Sequence, residues 1–162
     1  MASSTNPKTI HLAPEEIRHQ KEGIAVGIIT PGQLIERLAG RTLQRHSIAG
    51  GLAQLSFALE CDWFGRTIDD DYQPAAVTGE TVGDQVRYYV GRNGDEVYAL
   101  LDAGASVADA EFLSSAGNGN LRGAQANDAI VAQSLETVDN SAGTSPARVR
   151  VELMICCQGY SS

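Results

Sequence analysis

Along most of the chain, apolar and polar residues alternate at a period of two, and glycine-rich breaks separate the runs. The clearest case spans residues 85–101. Val86, Tyr88 and Val90 fall on one face and Arg87 and Tyr89 on the other. After Gly91-Arg92-Asn93-Gly94-Asp95, the residues Val97, Ala99 and Leu101 alternate with Glu96, Tyr98 and Leu100. Asn-Gly between two such runs predicts a hairpin, because both central residues of its tight turn need positive φ. Phe112–Ser115 and Gly119–Arg122 predict a second hairpin around Ala116-Gly117-Asn118. Near the end, Val149, Val151, Leu153 and Ile155 share one face, with Arg148, Arg150, Glu152 and Met154 opposite. A one-sided strand of this kind belongs to an antiparallel sheet with one face on a core.

The remaining runs read less cleanly. Ile24–Ile29, Leu43–Ile48, Leu52–Glu60 and Ala129–Val138 are β-prone and bounded by turns such as Thr30-Pro31-Gly32 and Ala49-Gly50-Gly51. Gln33–Leu38 fits either a strand or a single helical turn, and its apolar–charged alternation favours the strand. Residues 61–84 read as a long surface loop with a short strand at Ala76-Val77. In residues 1–22, Pro7 and Pro14 interrupt any helix, so the stretch is expected to be an extended N-terminal arm. The expectation is a mainly β chain of about eight to ten short antiparallel strands, a sandwich or barrel. Residues 23–155 would form its single domain and residues 156–162 a C-terminal tail.

Composition narrows the function. A chain of 162 residues with 43% hydrophobic residues can build a core without disulfides or metal. The net charge of −8 is unevenly spread. Residues 1–59 sum to +2, residues 60–140 to −11 and residues 141–162 to +1. An acidic body repels nucleic acid, while the mildly basic first third suits an acidic protein surface. Cys61, Cys156 and Cys157 are odd in number and form no disulfide framework, which fits synthesis in a reducing cytoplasm. The first residues lack the charged and apolar regions of a secretory signal, and no run is long enough to span a membrane.

Several segments, in order, resemble the head-decoration (capsid cement) proteins of tailed phages. They include Ile29-Thr30-Pro31-Gly32, Arg45-His46-Ser47-Ile48-Ala49-Gly50-Gly51, Gly65-Arg66-Thr67-Ile68-Asp69-Asp70-Asp71-Tyr72 and Gly94-Asp95-Glu96-Val97-Tyr98-Ala99-Leu100-Leu101. Ala132-Gln133-Ser134-Leu135-Glu136-Thr137-Val138-Asp139-Asn140 and Arg148-Val149-Arg150-Val151-Glu152 complete the likeness. The resemblance covers about Gly23 to Glu152; the longer arm before it and Cys156-Cys157 after it depart from the family. It implies a β-tulip or barrel-like sandwich without catalysis, cofactor or metal. It further implies a place on the virion exterior, synthesis in the host bacterial cytoplasm, and binding to the major capsid protein. Such proteins bridge capsid subunits against internal DNA pressure, usually as homotrimers and sometimes as dimers. On this reading, Ile10, Leu12, Ile17 and Arg18 of the arm are expected to contact the capsid. Trp63 and Phe64, large aromatics flanking a loop, are a second candidate contact patch, with burial in the core the favoured alternative.

Candidate chemistry is sparse. Asp69-Asp70-Asp71 lacks the ligand spacing of a calcium loop and reads as solvated. His11, His19 and His46 are scattered, and Cys156-Cys157 is no Cys-x-x-Cys motif. Gly65…Ile68-Asp69…Asp71-Tyr72-Gln73 resembles one motif of the trimeric dUTP pyrophosphatases, which would place Asp69 and Tyr72 at a nucleotide site. The other motifs of that family are missing. This nucleotide hydrolase is the alternative reading, together with a tail or baseplate β-module.

Overall fold

Residues 7–13 and 20–156 are described by the computed structural model, in which the alternating runs become short strands. In chain order these are β1 His11–Ala13, β2 Gln20–Ala25, β3 Ile35–Arg37, β4 Thr42–Arg45 and β5 Ser56–Ala58. Then follow β6 Gln85–Val90, β7 Glu96–Leu101, β8 Ser106–Val107, β9 Phe112–Ser115 and β10 Leu121–Gly123. The last are β11 Ile130–Ser134, β12 Val138–Asp139 and β13 Ala147–Cys156. The chain is mainly β, as the alternation predicts. Two pairings are parallel rather than antiparallel, β2 with β4 and β10 with β7.

The one-sided strand near the end organises a barrel. β13 pairs with β7 from Ala147↔Leu101 to Glu152↔Glu96, and its other edge pairs with β11. The order β7-β10-β9-β11-β13 returns to β7, so five strands close on themselves. The seam is a short parallel contact, Leu121↔Leu101, extended by the Asp102 amide donating to the Leu121 carbonyl at 2.8 Å. Val149, Val151 and Leu153 point inward and are fully buried with Val97, Ala99, Leu101, Leu113 and Leu121. Each valine or leucine among them contributes about 1.5–3 kcal/mol through burial.

The first half of the chain forms a second sheet in the order β3-β4-β2-β6-β5. Both of its faces are covered. Phe57 and Tyr89 turn toward the barrel core, while their neighbours Ala58 and Tyr88 turn the other way. That outer side packs against Ile29, Cys61 and Tyr72. Residues 61–84, expected as a surface loop, therefore act as a lid over a second core. Ala75–Thr78 within this segment is a single turn of α-helix, not a strand. Pro74 at its start and Gly79 at its end bracket that turn, which the β-prone Ala76-Val77 did not reveal.

The first predicted hairpin does not form. β6 lies in the five-stranded sheet and β7 in the barrel, so Gly91–Asp95 carries the chain between layers. The turn's polar groups go to other partners. The Gly94 amide donates to the Leu153 carbonyl and the Leu153 amide to the Asp95 carbonyl, both at 2.8 Å. The buried Asp95 carboxylate accepts from the Tyr89 hydroxyl and, at 2.8 Å, from the Arg92 amide. Tertiary pairing with β13 thus overrides a local turn signal. The second hairpin does form, with Leu121↔Ser115 and Gly123↔Leu113 in register.

The expected arm is also corrected. β1 pairs with β7 through His11↔Val97, and the Tyr98 amide donates to the Ile10 carbonyl at 2.7 Å. The sheet begins at Gln20, ahead of the expected boundary at Gly23. Ile10-His11-Leu12 is too short to read as a strand alone. Its partner lies more than 80 residues away, where no local pattern can reveal it. Of the later segment, Cys157 and residues 158–162 lie outside the described residues, as does the Ile155 side chain.

Candidate functional site

The covering segment is pinned by two buried side chains, and between them it projects two exposed ones. Cys61 and Tyr72 sit in the second core, at 3% and 1% exposure. The Tyr72 hydroxyl donates to the Leu59 carbonyl at 2.5 Å, and burial pushes its phenol pKa up. Between them, Asp62–Phe64 forms a single 3-10 turn. The Phe64 and Arg66 amides both donate to the Cys61 carbonyl, at 3.2 Å, and the Gly65 amide donates to the Asp62 carbonyl at 3.0 Å. Gly65 closes the turn at φ 66°, a conformation that favours glycine. The Arg66–Asp84 ion pair at 2.8 Å ties the segment to its other end, and Asp84 also accepts from the Gln73 amide.

This frame leaves Trp63 85% and Phe64 78% exposed. A structural Trp–Phe pair is ordinarily buried, so the chain spends two large aromatics on its surface. They border a cavity of about 310 Å³ shared with Gln20, Glu22, Gln85 and Arg87. The Arg87 guanidinium lies 5.9 Å from the Trp63 ring centre and donates to Gln20 Oε1 at 2.7 Å. Trp63 and Phe64 therefore form a surface knob, and the burial in the core favoured from sequence is corrected.

Beside it lies a second groove of about 570 Å³, lined among others by Lys21, Glu22, Arg37, Arg41, Arg87 and Tyr88. Glu22 accepts from the Gln85 amide nitrogen at 2.5 Å. Lys21, Arg37 and Arg41 have no side-chain hydrogen bond or ion pair among the described residues. Arg41 adopts φ 63°, rare for a residue with a Cβ, at a cost of about 1 kcal/mol. Sequence reading missed this cluster. The positive balance of the first third was its only trace, since Lys21, Arg37, Arg41 and Arg87 come from separate segments.

The other expected residues are dispersed. Ile10 is fully buried in the core of its own chain, so it offers no side chain to a partner. Leu12 is half-buried, while Ile17, Arg18 and His19 lie outside the described residues. Asp69 and Tyr72 do not converge. The Asp69 side chain is 83% exposed, and the Tyr72 hydroxyl is turned into the core. His46 is buried, with its ring nitrogens 2.7 Å from Ser115 Oγ and 3.1 Å from the Leu52 carbonyl. Among the described residues no three His, Cys, Asp or Glu side chains are grouped to hold a metal ion, and no helix is long and apolar enough to cross a membrane.

Neither a known protein-family profile nor a curated protein sequence matches this chain. Among solved structures it is similar to the N base of the head fiber gp8.5 of bacteriophage phi29, with a TM-score of 0.55 and 9% identity. The similarity covers 89% of this chain and 98% of that one, so the two share an architecture over nearly their whole length.

Proposed function

We propose that this chain is a structural protein of a phage head: a decoration or cement protein that binds the major capsid protein on the shell's exterior and has no catalytic role. The observation that carries the reading is the aromatic knob, Trp63 and Phe64 held outward on a turn braced from both sides. Exposed Trp and Phe side chains of this kind are typical anchors of protein interfaces. The shared architecture with a phage head fiber base supports the setting. A homotrimer is the favoured assembly, since several modest contacts engaged together bind strongly.

The nucleotide hydrolase reading loses its footing in the dispersal of Asp69 and Tyr72, because an active site needs a converging set of groups. The deciding experiment is co-sedimentation of purified protein with heads that lack it, followed by imaging of the decorated particle. Stoichiometric binding outside the shell is expected. Failure to bind, or efficient magnesium-dependent dUTP turnover, would overturn the proposal.

A further inference from the structure

We propose that the groove beside the aromatic knob takes an extended acidic segment of a partner protein, one that carries a large apolar residue next to its carboxylates. This deepens the reading above, on which the partner is the capsid protein. Four cations, Lys21, Arg37, Arg41 and Arg87, line the groove in a chain of net charge −8. None of the four makes an ion pair among the described residues, and only Arg87 has a side-chain hydrogen bond there, to Gln20, although the same chain carries 20 Asp and Glu side chains. Among the described residues the one acid at the groove is Glu22, and it is held by Gln85. Among the described residues the cations thus outnumber the acids at the groove, and Arg41 stands there in a strained backbone conformation.

Two further features fix the shape and composition of the occupant. β4 pairs with β2 only at Ile24 and Ala25, so Gln20–Glu22 have no strand partner on that edge among the described residues. An extended chain is the natural complement to such an edge. Gln20, Glu22 and Arg87 border both this groove and the cavity under Trp63 and Phe64. A segment bound by its carboxylates thus delivers its next apolar side chain to the aromatics. A long polyanion such as nucleic acid fits poorly, because the body around the groove is acidic and repels it.

Trp63 is the sole tryptophan, so its emission reports on this site. The full chain is titrated at low salt with the peptide Asp-Glu-Asp-Phe-Glu-Asp, with its amide analogue Asn-Gln-Asn-Phe-Gln-Asn, and with single-stranded oligo-dT. The acidic peptide is expected to shift the emission to the blue, and its binding should weaken as salt shortens the screening length. The double variant R37E/R41E keeps the reporter and changes two exposed side chains, so it should retain the wild-type unfolding midpoint. It should bind the peptide at least about tenfold more weakly. Equal binding of the amide analogue, preference for oligo-dT, or no binding at all would overturn the inference. So would a salt-dependent oligomer that R37E/R41E dissolves, because the occupant would then be a second copy of this chain.

Heads lacking the protein separate this inference from the functional reading. If the wild-type chain ignores heads yet binds the peptide through these arginines, the functional reading fails and the groove assignment stands. If heads bind wild type and R37E/R41E equally, the groove assignment fails and the functional reading stands.

Discussion

Replacing Arg148 by methionine tests how the barrel is fastened to the loops beneath the second sheet. The Arg148 guanidinium donates to the Pro31 carbonyl at 2.6 Å and to the Ile68 carbonyl, and it lies 5.8 Å from the Tyr98 ring centre. Its side chain is 15% exposed, and burial pulls its pKa below the usual arginine range. Methionine keeps the aliphatic stem but strands two carbonyls, at about 1–3 kcal/mol each. Removing a buried charge recovers part of that through relieved desolvation. The expected net loss is about 2–4 kcal/mol, or roughly 5–15 °C in midpoint for a domain of this length. Arg148→Lys keeps the charge but cannot span both carbonyls, and should lose about half as much. Asp69→Asn should change nothing, because its 3.6 Å contact with Arg148 is exposed on the acid's side. Urea unfolding of the three variants measures these values. If methionine matches the wild type while lysine is destabilised, the staple costs more to desolvate than its hydrogen bonds return, and the reasoning fails.

Four further outcomes are expected. Gly32→Ala should destabilise by about 2 kcal/mol or more, since φ is +92° and a Cβ would meet the Tyr98 carbonyl at 2.8 Å. Gly65→Ala meets nothing within 4 Å and should cost only the φ strain, about 1 kcal/mol, in the same unfolding assay. Trp63→Ala should leave the unfolding midpoint within about 0.5 kcal/mol of wild type while weakening head binding at least about tenfold in co-sedimentation. Burial holds the His11 pKa below 6.5, against the pull of Asp95 and Glu60, so the folded state resists protonation. Stability from neutral His11 is full above that value and is lost as pH falls through the lowered one. His11→Phe should flatten this acid limb, read as urea midpoints at about pH 7.5 and about pH 5.

Much of the architecture was legible where one strand faces one core. Val149, Val151 and Leu153 alternate cleanly because β13 buries a single face in the barrel. The β9–β10 hairpin was legible because its pairing is local. The Asn93-Gly94 turn misled because its strands belong to different layers, a decision made by β13 and Asp95 rather than by the turn. β6 shows the limit of periodicity: Tyr88 and Tyr89 are adjacent yet both buried, since both faces of that sheet are covered. The aromatic knob at Trp63 and Phe64 was only half legible, because composition marks two large aromatics but does not say whether they turn inward or outward. The cationic groove was not legible, because β2, the Arg37–Arg41 stretch and β6 are apart in sequence and only the fold brings their side chains together.

The barrel's closure also sets an order of events during synthesis. β7 emerges from the ribosome some fifty residues before β13, the strand that occupies most of one of its edges. Until residues 147–156 appear, the nascent chain holds a half-built cylinder with open edges, which invite pairing with other chains. A premature stop anywhere in the preceding loop should therefore yield sticky, insoluble product rather than a smaller soluble fold.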